Sequence, residues 1–493
     1  MARVTLALVA TIVALAVAPR PSLAAPLGAL PATVRVNIAG LGTTYARIGS
    51  TGGSLRATDA GGTTVWSGFG NTITRLGVRR LAEPGGTAAK IPDPINSVDE
   101  RLNRARQLRE AKLAAKINDV PIVSVPFEFS IEKDDPLAPP LFASQTMVPL
   151  RFATTDGLLT YNGRVFRGTL ELAKDDEGDM IVVNEVDTAA YLASVIGSEE
   201  PATWMPEALA SQAIAARTYL ATHLQRHDHY DLEGDTRDQQ YDGLAGEDKS
   251  TVRAVERTAG MIATYDGRPI SALYSANAGG VTENSENVYA NALPYLRSVA
   301  SPGDEVADAS SWGHTSWQWT TEYTAPQLRA YLRPRGIDVG DPQRVEITQT
   351  TATGRVMASR VIGSAGTKEI GKDVSRYYFG LRSTLFTVDV RSEETEIVAA
   401  NNADRIRQLE FLGAKIDRAY FSTIRDPDRS WTLRITGWLY RLPARFVFSG
   451  KGFGHGVGMS QWGAQGMALG GASAEDILRH YYQGIAITSV GGA

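Results

Sequence analysis

Cysteine is missing altogether from the 493-residue chain. Disulfides, thiolate metal sites and cysteine nucleophiles are therefore excluded, and an exported form must hold together through its core alone. No sign of charge dominates either. Lys and Arg number 50 against 54 Asp and Glu, a net charge of −4, so there is no basic field to draw in nucleic acid or anionic lipid. Long apolar runs are also absent, with one exception. Arg3 precedes an almost wholly apolar stretch from Val4 to Ala18, and Ser22-Leu23-Ala24 before Ala25 has the small residues of a cleavage site. That run is shorter than the roughly 20 residues of a spanning helix. Residues 1–24 are read as a cleaved signal peptide rather than an anchor. The mature chain is then secreted, periplasmic or cell-wall associated, with no stable membrane span.

What is present patterns as α+β: mixed β-sheets with a few packed helices, preceded by a small N-terminal β module. Residues 33–80 alternate apolar and polar side chains between Gly-rich breaks, giving a β-rich module over 25–82. A linker and a charged helix follow over 83–119, where Ser97 and Glu100 have capping-box spacing. Residues 120–493 read as the main domain, with an insertion at 392–443 that is acidic, then basic, and poorly patterned. Within it, Asp187 caps a short helix. A longer helix starts near Pro206, and its stripe of Leu209, Ala213, Ala216, Leu220 and Leu224 predicts a helix half-buried on a sheet. Strands around Asp266-Gly267 form a hairpin.

Several groups have the chemistry of a site. Glu199 and Glu200 sit between a helix end and Pro201, where the macrodipole opposes a negative charge and favours a general acid; the bland alternative is a solvated surface turn. His455 lies in "GFGHGVG", whose glycines let backbone N–H groups approach a ligand, but this run lacks the Lys of a P-loop. "GMSQWG" is not a nucleophile elbow, so a serine hydrolase through Ser460 and His455 is a remote reading. His223 and His227 have i, i+4 metal spacing, against a fraying polar helix end. "DTRDQQYDG" lacks the twelve-residue calcium pattern and reads as a cleft loop.

Taken in order, these pieces resemble one family. The run "NEVDTAAYLASVIGSEEPATWMPEALASQAIAARTYL", then "QQYDG", "SALYSANAGGVTENSENVYANALPYLRSVASPGD", "LRSTLF" and "GKGFGHGVGMSQWGAQGMA" are similar to the stage II sporulation protein D and amidase-enhancer (SpoIID/LytB) family. The resemblance covers roughly residues 145–390 and 446–490. It implies a lytic transglycosylase of peptidoglycan glycan strands, in which one glutamate, matching Glu199, protonates the glycosidic oxygen and leaves 1,6-anhydromuramic ends. A single acid suffices because the sugar supplies its own nucleophile, whereas hydrolytic glycosidases usually need two. Glu200 stands where the family has Met, so it either raises the acid's pKa by like-charge repulsion or points to solvent. The resemblance also implies substrate contacts from Arg217, Tyr241, Ser275, His455, Ser460 and Gln461, with Trp462 offering an aromatic face. Some relatives hold zinc through Cys and His near "QQYDG"; without Cys, no metal and no cofactor is expected. The rival function is a non-catalytic wall-binding module that stimulates a partner amidase.

Overall fold

A computed structural model describes residues 29–490 apart from 41–45, 70–73, 76–128, 132–141, 145–148, 175–179, 312, 373, 392–393, 399–414, 427–430 and 442–443. The signal peptide over 1–24 and the charged helix within 83–119 lie outside the described residues. The architecture is α+β, with helices and strands in several mixed sheets. The single domain expected over 120–493 divides instead into two compact units: residues 25–272 with 485–493, and residues 273–484.

The first unit is built on a seven-stranded sheet. Its strands are β1 (Thr33–Asn37), β2 (Ser54–Thr58), β3 (Thr64–Phe69), β4 (Leu150–Thr154), β5 (Thr169–Lys174), β6 (Met180–Asp187) and β7 (Leu232–Glu233), in the order β7-β1-β6-β5-β4-β2-β3. The β module expected over 25–82 therefore does not stand apart. β1 pairs antiparallel with β6, Val34 opposite Val186, and β2 pairs with β4. Alternation specifies that a segment is a strand and which face it buries, but not which distant strand completes its hydrogen bonds.

Helix α1 (Thr188–Glu199) leaves β6 directly, and the Asp187 carboxylate accepts the Ala190 N–H at 2.9 Å. Pro201 ends it, because the residue before proline is driven to extended backbone, and Glu200 has φ −132° and ψ 146°. Helix α2 (Pro206–His223) has Pro at its first position, where no N–H is needed. Every residue from Ala208 to Leu220 is buried, so α2 is enclosed rather than half-buried. Its alanines and serine are small enough for neighbours to close on all sides. One neighbour is the strand Met261–Tyr265, whose Ala263 N–H donates to Thr218 Oγ1 at 2.9 Å. That strand turns at Asp266 (φ 49°) and Gly267 (φ 72°), the left-handed pair of a tight hairpin. It also pairs with the C-terminal strand Ala486–Ser489. Helix α3 (Lys249–Arg257) carries a capping box from Asp248 and Thr251.

In the second unit, strand Arg445–Lys451 lies between Gln318–Thr324 and Phe386–Arg391. A three-stranded meander runs over Pro342–Thr350, Val356–Gly363 and Gly366–Gly371. The core gathers Leu328, Val361, Phe379, Phe386, Phe446 and Phe448. The span 392–443 leaves one of two directly paired strands and returns into the other. Its strands Glu394–Val398, Lys415–Asp426 and Trp431–Arg441 pair among themselves in a sheet of their own. Helices α4 (Gln461–Leu469) and α5 (Ala474–Tyr481) close this unit. No helix among the described residues is long and apolar enough to cross a membrane.

The position of α1 depends on two glycines. A Cβ at Gly197 would lie 2.0 Å from the Gly246 carbonyl oxygen, and one at Gly246 would lie 2.3 Å from the Ser194 carbonyl oxygen. Alanine in mid-helix gains about 1 kcal/mol over glycine, whereas forcing backbone apart in a packed interior costs roughly 1–3 kcal/mol or more. Gly197→Ala is thus expected to destabilise the fold in spite of its better helix propensity. Urea denaturation of the two proteins checks this, and a raised midpoint in the variant would contradict the close approach.

Candidate functional site

Glu199 is the last helical residue of α1 and is half-buried. The "QQYDG" loop holds this helix end. The Gln240 N–H donates to Glu199 Oε1 at 2.9 Å, the Asp242 N–H to Ser198 Oγ at 3.1 Å, and Ser194 Oγ donates to the Gly243 carbonyl at 2.6 Å. The Tyr191 hydroxyl donates to Gln239 Oε1 at 3.1 Å. Tyr241 sits beneath, buried against Tyr191 and Phe166, and its hydroxyl donates to Asn184 Oδ1 at 2.7 Å. Its ring and hydroxyl thus hold the loop to β6. The carboxylate of Glu199 is oriented by backbone, and the loop that orients it is set by aromatic packing.

Glu200 follows neither course expected of it. It is 2% exposed, and neither carboxyl oxygen has a hydrogen-bond partner among the described residues. Burial, reinforced by the neighbouring Glu199, pushes its carboxyl well above the usual carboxylate range. Burial thus favours its protonated form, and the side chain is enclosed rather than solvated.

Arg217 is not brought to this end of α1. Its guanidinium donates to Thr258 Oγ1 and the Met261 carbonyl, both at 3.2 Å, and to the Val255 carbonyl at 3.1 Å, at the far end of α3. The opposite end of α3 faces Glu199's end of α1, since a Cβ at Gly197 would also meet Thr251 at 3.4 Å.

The histidines of α2's end are occupied in the fold. His223 is buried and stacked on Tyr219, with Nδ1 2.7 Å from the Tyr219 carbonyl oxygen, while His227 stacks on Tyr230. Among the described residues no group of three or more His, Asp or Glu is placed to hold a metal.

In the second unit the glycine loop takes positive φ at every second residue: Gly452 83°, Gly454 109°, Gly456 74° and Gly458 76°. No side chain at Gly458 is tolerable, for its Cβ would fall 2.0 Å from the Leu273 carbonyl oxygen. His455 is half-buried beside Tyr289, ring centroids 5.7 Å apart, and its Nδ1 accepts the Val457 N–H at 3.0 Å. The proton of the neutral ring is therefore on Nε2. Ser275 lies under the loop, buried, with a hydroxyl that has no partner among the described residues. Ser460 is fully buried: it donates to the Asp304 carboxylate and accepts from the Ala278 N–H at 3.1 Å and the Gly463 N–H at 3.4 Å, capping α4. Burial pushes Asp304 up to about 6. A hydroxyl so engaged and enclosed is not poised as a nucleophile. Gln461 is buried at the start of α4. Trp462 is also buried, its indole against Gly313. The exposed aromatic ring of this loop is Phe453, 42% accessible, with the Arg382 guanidinium 5.1 Å from its centroid. The sequence signal for it was its place between Gly452 and Gly454, which leaves a large apolar side chain without flanking cover.

Stretches of the chain are similar to known proteins. Residues 176–265 match the family described as stage II sporulation protein, and residues 286–414 match a domain of unknown function. An uncharacterised protein of Brachyspira hyodysenteriae is 29% identical over 339 residues, covering 68% of this chain and 75% of that one. Stage II sporulation protein D of Bacillus subtilis is 28% identical over 323 residues, covering 62% of this chain and 76% of the relative. The amidase enhancer of Bacillus subtilis is 28% identical over 322 residues, which is 60% of this chain and 40% of that longer protein. The matched model spans β6, α1, α2, the "QQYDG" loop and α3, and together with these relatives it supports the SpoIID/LytB family for this chain.

Proposed function

We propose that the chain is an exported lytic transglycosylase that cleaves peptidoglycan glycan strands with Glu199 as its single acid and base. Family membership supports a cell-wall related role. The observation that carries the finer reading is the backbone N–H of Gln240 on Glu199 Oε1, which fixes one oxygen of a half-buried carboxyl at a helix end. In this reaction the Glu199 proton passes to the glycosidic oxygen as the C1–O bond of muramic acid breaks and positive charge develops at C1. The carboxylate then accepts the proton of the sugar's C6 hydroxyl while O6 bonds to C1, which restores the acid and closes the anhydro ring. No water enters the balance, so one carboxyl does both transfers. Within the second unit, Phe453 and His455 are proposed sugar contacts, the ring by its apolar face and Nε2–H as a donor. Tyr241 acts by positioning the "QQYDG" loop. Ser460 and Gln461 act by shaping the glycine loop from within, and Ser275 by its hydroxyl under Gly454.

A second reading, stimulation of a partner amidase, rests on the relative named amidase enhancer. Glu199→Gln separates the two. It is expected to lower release of anhydromuramic ends by a factor on the order of 10² or more with an unchanged melting temperature, measured by mass spectrometry on peptide-bearing and denuded strands. If the wild-type protein yields no such ends from either substrate while amidase stimulation survives the substitution, the second reading stands and the first is lost.

Glu200 has its own signature. Its carboxyl ionises at higher pH in the fold than in the unfolded chain, where it ionises above about pH 4.3. Its favourable contribution is thus complete below that pH and is lost as pH rises toward the folded value, at about 1.4 kcal/mol per pH unit. Glu200→Met, the family's usual residue, is expected to raise stability more near about pH 7 than near about pH 4. Urea titrations at both pH values decide it; equal gains would show that Glu200 is ionised in the fold.

A further inference from the structure

At the end of α1 remote from Glu199, the first unit holds a partly open cavity of about 170 Å³, lined by Leu30, Leu192, Val255, Val490 and Arg217, with exposed Glu256 at its rim. Leu192 precedes Glu199 by seven residues, roughly 10 Å along the helix, so the two places are distinct. Arg217 is only 4% exposed. A buried guanidinium normally has an anionic partner; this one has three neutral acceptors, the Thr258 hydroxyl and the carbonyls of Met261 and Val255. They belong to the C-terminal end of α3 and the turn just beyond it, which suits a cation, and burial still lowers the group to about 10.

The unused donors are arranged for a ligand. Thr258 Oγ1 and the Val255 carbonyl oxygen are 3.4 Å from each other, so Nη1 and Nη2 meet them side by side at the tip of the guanidinium. Met261 takes the other Nη1 hydrogen. That leaves Nε–H and the second Nη2–H, the parallel pair that carboxylates bind bidentately.

We propose that this cavity is a binding site for a small monocarboxylate, its two oxygens on Nε and Nη2 of Arg217 and its short apolar body against Leu192, Val255 and Val490. At about 30 Å³ per water-sized unit the space takes about five or six non-hydrogen atoms. This fits a free short-chain acid or the terminal carboxylate of a peptide. Glu256 stands in solvent, where its charge is screened, and it disfavours a ligand with a second negative charge at the mouth. The site is independent of whether Glu199 cleaves glycan.

Titration of the methyl-labelled mature chain with propionate, N-acetylalanine and propionamide, followed by NMR, tests this. Propionate is expected to shift the methyl signals of Leu192, Val255 and Val490 with a Kd on the order of 1 mM, and the uncharged propionamide is expected not to. Whichever acid binds more tightly identifies the source, free acid or peptide terminus. Arg217→Lys, which keeps the charge and loses the fork, should weaken binding about tenfold or more. Because that variant disturbs α3 as well, Ala259→Leu provides the second arm: it fills the rim without touching the guanidinium. It should abolish the shifts while leaving the melting temperature and any glycan cleavage as in the wild type. Equal response to acid and amide, no response to either acid, or binding that survives Ala259→Leu would each overturn the site.

Discussion

The close approach of α1 to the turn after the "QQYDG" loop is the constraint on which the candidate site depends. With a Cβ at Gly197 only 2.0 Å from the Gly246 carbonyl oxygen, the helix and the turn are in backbone contact, and no side chain separates them. That contact puts three hydrogen bonds, from Ser194, to Ser198 and to Glu199, within one helical turn of the loop. Each is a modest contribution alone, about 1 kcal/mol. Together they fix the direction of a carboxylate that its own rotamers would leave free. Tyr191, Tyr241 and Asn184 extend the support into the sheet, so buried aromatic packing holds the acid's geometry together with the Arg164–Asp242 ion pair on the same loop.

Charge is handled by burial. Burial raises the carboxyl of Glu200, whose oxygens have no hydrogen-bond partner among the described residues, and Arg217 at the other end of the same helical layer keeps its charge by facing carbonyls. Both are uncommon solutions, since an isolated buried charge is costly. Their occurrence at opposite ends of α1 gives the first unit two polar interior features with opposite preferences, one for a proton and one for an anion. The second unit uses backbone instead: alternating positive φ in its glycine loop leaves His455 and Phe453 accessible while Ser460 ties the loop to Asp304 below.

Much of the site was legible in the sequence, and for local reasons. Asp187 and Pro201 bound α1 because capping and the proline effect act over one or two residues, and the Asp266-Gly267 turn followed from the left-handed backbone those residues tolerate. Family motifs pointed to Glu199, whose orientation by the "QQYDG" loop the fold then supplies. The residues that changed meaning are those whose role depends on burial. Trp462 went into the core while Phe453 was left outside, and Ser460 became a cap. A stripe on α2 became an enclosed helix, because alanine is apolar enough for a core and small enough for neighbours on every side.

The sequence by itself determined the class, the ends of the helices, the absence of sulfur chemistry and the motif that carries the acid, since each is set by composition or by interactions a few residues apart. Only the tertiary structure decided that β1 completes a sheet with strands from far downstream, that residue 272 ends one unit to which the strand Ala486–Ser489 returns, and that one of two adjacent glutamates is enclosed while the other is half-buried. Those outcomes follow from which distant surfaces meet and exclude water, and no local spacing encodes that.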